Sequence, residues 1–221
     1  MNHRRLALAV LPLLLAVTGC TSGTADDEPA PRPAAAERPS PFRDCTTLST
    51  APTAPSPGSG TATPATATPA SPGTTARAAG GSVLPELTLS CFTGGAPVVL
   101  REVAGPAVIN VWASWCPPCR KELPAFQRLS ERAAGQLQVV GVNSRDSRGG
   151  AQSIGEDFGV RFPILVDQGE ALQRELKRNA IPLTLFVDAD GQVRHIDASG
   201  ALDDTKLAKL VRQHLGLAVP A

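Results

Sequence analysis

Ala107-Val108-Ile109-Asn110-Val111-Trp112-Ala113 is an almost unbroken apolar run, bounded by Gly105-Pro106 and followed at once by Ser114-Trp115-Cys116-Pro117-Pro118-Cys119. Such a run suits a strand covered on both faces. A helix is expected directly afterwards, from about Cys119 to Ala134, with Leu123, Phe126 and Leu129 on one side and a kink at Pro124. A covered strand that delivers two cysteines to the head of a helix points to layers on both sides of a sheet.

The residues around this unit extend the same pattern. Leu87-Thr88-Leu89 and Val98-Val99-Leu100 flank Gly94-Gly95 and predict a β-hairpin ahead of the central strand. Leu137 to Val142 and Ile164-Leu165-Val166 read as further strands, with short helices expected over Gln152 to Phe158 and Gly169 to Arg178. Leu183 to Val187, the turn Asp188-Ala189-Asp190-Gly191 and Val193 to Ile196 form a second hairpin. Leu207, Leu210, Val211 and Leu215 have helical spacing, with Asp203 near the start of that terminal helix. The expected class is α/β, a central mixed sheet flanked by helices.

Composition divides the chain. Eleven of its 21 prolines fall between Pro29 and Pro72 in a Thr-Pro-Ala-Ser stretch that cannot bury enough surface to offset chain entropy. The predicted organisation is a signal peptide over 1–19, an anchor and tether over 20–82, and one domain over 83–221. A flexible tether of that length reaches about 40–50 Å, and its prolines stretch it further. The domain carries 15 Lys/Arg against 15 Asp/Glu and Tyr is absent, so neither a basic stripe nor aromatic platforms mark a nucleic-acid binder. A neutral domain on a tether gives no reason to expect an oligomer, and a monomer is expected.

The N-terminus reads as an address. Asn2-His3-Arg4-Arg5 precedes an apolar run from Leu6 to Val17, too short to span a bilayer as a helix but suited to a signal-peptide core. It ends in Val17-Thr18-Gly19-Cys20, which resembles the bacterial lipobox; the alternative is an ordinary cleaved signal with an incidental Cys20. Lipidation at Cys20 would hold the protein on the cell membrane at its extracytoplasmic face, where disulfides persist. One island, Phe42-Arg43-Asp44-Cys45-Thr46-Thr47-Leu48, interrupts the tether. A structural disulfide between Cys45 and Cys91 would pin it to the edge of the domain, and the alternatives are a second redox pair or two free thiols.

Two residues between Cys116 and Cys119 let their sulfurs close a small ring. The first thiol then sits near the unsatisfied amides of a helix N-terminus, whose positive potential favours thiolate. Cys116 is therefore the expected nucleophile and Cys119 the resolving thiol. The segment Trp112-Ala113-Ser114-Trp115-Cys116-Pro117-Pro118-Cys119-Arg120-Lys121-Glu122-Leu123-Pro124 resembles the thioredoxin superfamily, and within it the membrane-anchored bacterial branch typified by ResA and TlpA, from about Val83 to Leu215. That resemblance implies a thioredoxin-like fold and a thiol-disulfide oxidoreductase, a reductase before an oxidase or isomerase. It implies protein disulfides as substrates, apocytochrome c sites or other extracytoplasmic proteins among them, and a membrane thiol carrier as electron donor. No cofactor is implied beyond the dithiol.

The resemblance also places further residues. Glu122 stands where the ResA-like branch keeps a carboxylate near the dithiol, while Asn110 occupies the position of thioredoxin's buried Asp. The alternative for Glu122 is a solvated helix residue beside Arg120 and Lys121. Pro182 in Ile181-Pro182 matches the superfamily's cis-proline, against an ordinary trans proline opening a strand. The Leu183-Thr184-Leu185-Phe186 that follows departs slightly from the family's usual Thr-Thr-Phe, which touches substrate fit. Trp112 and Trp115 are expected to pack around the motif, and Trp115, Pro117 and Ile181 are the expected substrate-contact residues.

Other chemistries lack their residues. His195 and His214 make no ligand spacing with the dithiol, so no metal is expected, and both are placed at the surface. A peroxiredoxin's Thr three residues before its reactive Cys is replaced by Ala113. Arg145-Asp146-Ser147-Arg148 reads as a solvated loop. A binding or assembly lipoprotein with a relic Cys116–Cys119 bridge is the remaining reading from another class.

Overall fold

The computed structural model describes residues 38–52 and 82–221. The signal peptide, Cys20 and most of the tether lie outside the described residues. No helix among the described residues is long and apolar enough to cross a membrane.

The elements in chain order are β1 (Ser82–Val83), β2 (Thr88–Cys91), β3 (Val98–Val99), β4 (Ala107–Trp112), α1 (Pro117–Arg132), β5 (Gln138–Ser144), α2 (Arg148–Asp157), β6 (Ile164–Asp167), α3 (Ala171–Glu175), β7 (Leu183–Val187), β8 (Gln192–Asp197) and α4 (Asp204–Leu215). They build one mixed sheet in the order β1-β8-β7-β4-β5-β6-β2-β3. β4 is buried at all six positions and lies at the centre, parallel to β5 and antiparallel to β7. Alternate residues of β4 serve opposite faces, as a pleated strand requires. Val108 and Trp112 face α1, α2 and α4 through Leu123, Phe126, Ala151, Leu207 and Val211. Ile109 and Val111 face the other layer, where Leu172 of α3, Leu48, Leu84 and Leu100 pack.

The predicted N-terminal hairpin forms: β2 and β3 pair antiparallel, and β2 extends the sheet through β6. Leu100 leaves the strand for a short 3-10 turn over Leu100–Glu102 and buries its side chain. α3 is shorter than the expected Gly169–Arg178, because Glu170 and Lys177 adopt left-handed backbone at φ 55 and 53 and close the helix at both ends. α1 continues through Pro124 to Arg132. Its first residue is Pro117, where the missing amide hydrogen has no helical partner to lose. Asp203 caps α4 by accepting from the Lys206 amide.

The island belongs to the folded unit. Phe42, Cys45 and Leu48 are buried, and Phe42 meets Phe92 edge-on at 4.8 Å. Gly155 on α2 makes room for it, since a Cβ there would lie 2.4 Å from Phe42 Cε1. Gln138 Nε2 donates to the carbonyls of Leu48, Thr50 and Ala104, binding the end of the island to the start of β5. Residues 39–52, within the stretch the composition assigned to the tether, are thus packed against the domain. Three apolar side chains and a disulfide supply the burial that their proline-rich surroundings lack.

Candidate active site

β4 ends at Trp112, and the chain turns through Ala113, Ser114 and Trp115 into α1, with the Cys116 amide donating to the Ala113 carbonyl at 3.2 Å. Cys116 takes the N-cap position of α1, and its Sγ accepts from the Cys119 amide at 3.2 Å. The two cysteines are joined as a disulfide with Cα atoms 5.3 Å apart, so the structure is the oxidised form. Cys119 is fully buried and Cys116 retains only 3 % exposure. Cys116 Sγ lies 3.9 Å from the Ile181 carbonyl oxygen, and the Ile181-Pro182 bond is cis. The backbone ahead of β7 therefore crosses in front of the first sulfur. A second cis bond, Gly105-Pro106, was not expected and sits at the start of β4.

Glu122 is not the solvated alternative. It is buried, with Oε1 accepting from Asn110 Nδ2 at 2.7 Å and Oε2 from the Leu202 amide at 3.1 Å. Burial pushes its carboxyl up to about 7 from the usual 4.5; the bonds from Asn110 and Leu202 oppose that rise, and the charge of Asp197 adds to it. The sequence placed Asn110 and Glu122 separately but gave no sign that Leu202, eighty residues on, completes the site.

Trp112 is fully buried in the core, as expected of packing, whereas Trp115 is 52 % exposed beside the dithiol. Pro117 is exposed at the head of α1 and Ile181 half-buried. Cys45 and Cys91 are bridged, with Cα atoms 6.0 Å apart, and their sulfurs belong to the opposite layer from the dithiol cluster.

Two expectations are overturned. Asp146, read as part of a solvated loop, is 7 % exposed and accepts from the Ser114 amide and hydroxyl. An acidic residue immediately before the helix-capping Ser147 was the available signal. His195 and His214, read as surface residues, are half-buried and stack face to face with ring centroids 4.0 Å apart. Among the described residues, no group of three or more His, Cys, Asp or Glu could hold a metal ion. A cavity of about 520 Å³ lies between Leu48, Gln138, Pro163 and the C-terminal end of α1, remote from Cys116 at the helix's other end. Cys116 reaches the surface only through its 3 % exposed edge, between the exposed side chains of Trp115 and Pro117.

Comparison with known proteins agrees with this geometry. The chain is 28% identical over 137 residues to the thiol-disulfide oxidoreductase ResA of Geobacillus thermodenitrificans, covering 61% of this chain and 75% of that protein. It is 28% identical over 119 residues to the thioredoxin-like protein YneN of Bacillus subtilis, covering 52% and 69%. A thio-disulfide isomerase from Thermus thermophilus superposes with TM-score 0.51 at 27% identity, over 61% of this chain and 95% of that one. A secreted thiol-disulfide isomerase from Corynebacterium glutamicum has the same fold, with TM-score 0.55 at 24% identity over 69% and 98%. The redoxin family profile matches residues 78–211, more than half the chain, and this chain, with its thioredoxin-like fold, belongs to the redoxin family.

Proposed function

We propose that this protein is a protein-disulfide reductase that works outside the cytoplasm from a lipid anchor at Cys20. At the least, the chain is a thiol-disulfide oxidoreductase with a Cys116/Cys119 dithiol. The observation that carries the reading is the Cys116–Cys119 bridge at the N-terminus of α1, faced by the cis Ile181-Pro182 segment.

In the reduced protein the Cys116 thiolate attacks one sulfur of a substrate disulfide. That S–S bond breaks, a mixed disulfide forms, and the departing substrate thiolate takes up a proton. Cys119, once deprotonated, attacks the Cys116 sulfur and closes the intramolecular bridge, releasing the second substrate thiol. The substrate gains two electrons and two protons, and the protein is left oxidised as in this structure. The Cys119 amide, 3.2 Å from Cys116 Sγ, together with the helix dipole, favours the attacking thiolate. Glu122, one turn beyond Cys119 with a carboxyl near neutrality, is the group suited to receive the Cys119 proton. The Ile181 backbone offers an extended edge for substrate chain, with Trp115 and Pro117 exposed beside it. Recharging requires a thiol donor at the membrane. Apocytochrome c sites are among the substrates that the likeness to ResA suggests, and the tethered domain works as a monomer. The Cys45–Cys91 bridge is structural, since it holds the island to the sheet from the opposite layer.

Equilibration of the Cys116/Cys119 couple against defined thiol buffers tests the direction. A potential of about −270 mV supports a reductase, and one of about −120 mV makes the protein an oxidant instead. Loss of insulin reduction in Cys116→Ala tests the nucleophile; turnover that survives this change would remove Cys116 from the mechanism.

A further inference from the structure

We propose that the β5–α2 loop is a clamp on the active-site turn, with Asp146 a positioning residue for thiol-disulfide exchange; the proposal rests on the reading of Cys116 as the attacking thiol. The turn Ala113–Cys116 has two middle residues, and the loop grips both. Asp146 Oδ2 accepts from the Ser114 amide at 2.6 Å and Oδ1 from the Ser114 hydroxyl at 2.6 Å. Trp115 Nε1 donates to the Arg145 carbonyl at 2.9 Å, while the Arg145 guanidinium lies over the indole, 5.6 Å from its centroid. Bonds from a carboxylate to two donors of one residue fix that residue in both position and orientation.

The clamp is itself braced. Asn143 Nδ2 and the Ser147 amide donate to the Asp146 carboxylate at 2.9 and 2.8 Å, and Gln168 Nε2 donates to its carbonyl at 2.7 Å. The Arg145 amide donates to the Asp167 carbonyl at 3.1 Å. Arg145 is left-handed at φ 45, a conformation a non-glycine residue keeps only where its surroundings over-determine it. Here the loop must reverse within two residues so that a carbonyl meets Trp115 and a carboxylate meets Ser114. Gly150 is an independent sign of the fit, because a Cβ there would stand 2.6 Å from Ser114 Oγ and 2.9 Å from Ser147 Oγ.

The consequence is chemical. The Ala113–Cys116 turn determines where Cys116 Sγ stands relative to the Cys119 amide and the Ile181 carbonyl. A loosened turn lets the sulfur leave that amide, which weakens thiolate stabilisation and lets Trp115 swing away from the substrate edge.

The experiment compares wild type, Asp146→Ala and Asp146→Asn, prepared both reduced and oxidised. It reads the ultraviolet titration of the Cys116 thiolate, the rate of reaction with a small aromatic disulfide, and the change in tryptophan emission between redox states. Asp146→Ala is expected to raise the thiol titration by about one pH unit and to slow the reaction at pH 7 about tenfold. The redox-linked emission change should shrink as Trp115 loses its fixed place beside the sulfurs. Asp146→Asn, which keeps one acceptor oxygen, should fall between the two. A folded Asp146→Ala with titration, rate and emission all within twofold of wild type would overturn the clamp even if its stability had dropped. Should Asp146→Ala fail to fold, Gly150→Ala carries the test, because its Cβ pushes Ser114 off the carboxylate. It should reproduce the slowed reaction and be partly rescued by Ser114→Ala; an unslowed Gly150→Ala would equally overturn the proposal. Failure of wild type to reduce insulin would count against the proposed reductase, whereas the thiol titration judges the clamp separately.

Discussion

Asn110 Nδ2 donates to Glu122 Oε1 across 2.7 Å, tying the middle of β4 to α1 inside the core. With the Leu202 amide on Oε2, Glu122 also joins α1 to the segment ahead of α4, eighty residues away. A carboxylate held by two donors would ordinarily titrate low, yet desolvation outweighs both bonds here and leaves the carboxyl near 7. The site therefore contains a group able to exchange a proton at neutral pH.

Glu122→Gln removes that exchange without changing the shape of the side chain. The pH profile of resolution by Cys119 should lose its step near pH 7, and the rate at pH 7 should fall about tenfold. Stability should respond too, with a defined sign. The folded carboxyl lies at about 7 and the unfolded one at 4.5, so the folded state binds more protons between those values. Wild-type stability is then highest below pH 4.5 from this group and declines by about 3 kcal/mol as pH rises through 7. The difference between Glu122→Gln and wild type in urea unfolding at pH 5 and pH 8 should grow with pH. An identical pH dependence of both proteins would remove the assignment.

Cys45 and Cys91 close a loop with sequence separation 46. Replacing both by Ala should lower unfolding free energy by about 4 kcal/mol in the chain-entropy account, less any relief of native strain. The potential of the Cys116/Cys119 couple should not move, because the two bridges lie in different layers. Denaturant melts together with redox titration of the same variant check both halves.

His214 stacks on His195, its planes within 4°, and it is held below its usual pKa first by burial and then by the charge of His195. His195 Nε2 also lies 3.9 Å from Asp197 Oδ2. A depressed folded pKa means the unfolded chain binds more protons, so this contribution is present above about pH 6.5 and is lost as pH falls through the folded value. Replacing His214 by Leu should raise the melting temperature at pH 5 relative to wild type more than at pH 8. The converse ordering would show that the stack is not the cause.

Gly105 immediately precedes the cis-linked Pro106, and a Cβ on it would lie 1.7 Å from the Asp188 carbonyl oxygen. That obstacle is backbone and cannot swing aside as a side chain would. Gly105→Ala should cost more than about 2 kcal/mol, since β4 or the Asp188 turn must shift to admit it. Thermal melts of the variant measure the cost.

Local pattern carried much of this protein. The Ala107–Ala113 run has no room for a polar face, so a central strand follows from it, and Cys-Pro-Pro-Cys at a helix start can close one small ring. Gly94-Gly95 and Asp190-Gly191 marked their turns because left-handed backbone favours glycine. Local pattern failed where side chains from distant segments meet. The island's Pro, Ser and Thr neighbours concealed that Phe42 would find Phe92, and the charges of Arg145 and Arg148 concealed the buried Asp146 between them.

The layered α/β class, the pairing of Cys116 with Cys119 and the helix that polarises them were legible in the chain, because each depends on periodicity or on spacings of a few residues. The burial of Glu122 against Asn110 and Leu202, the His195–His214 stack and the grip of Asp146 on Ser114 arise from three-dimensional packing. Their energies come from desolvation and from hydrogen bonds across 32 residues for Ser114 with Asp146 and 80 for Glu122 with Leu202, separations that no local window spans.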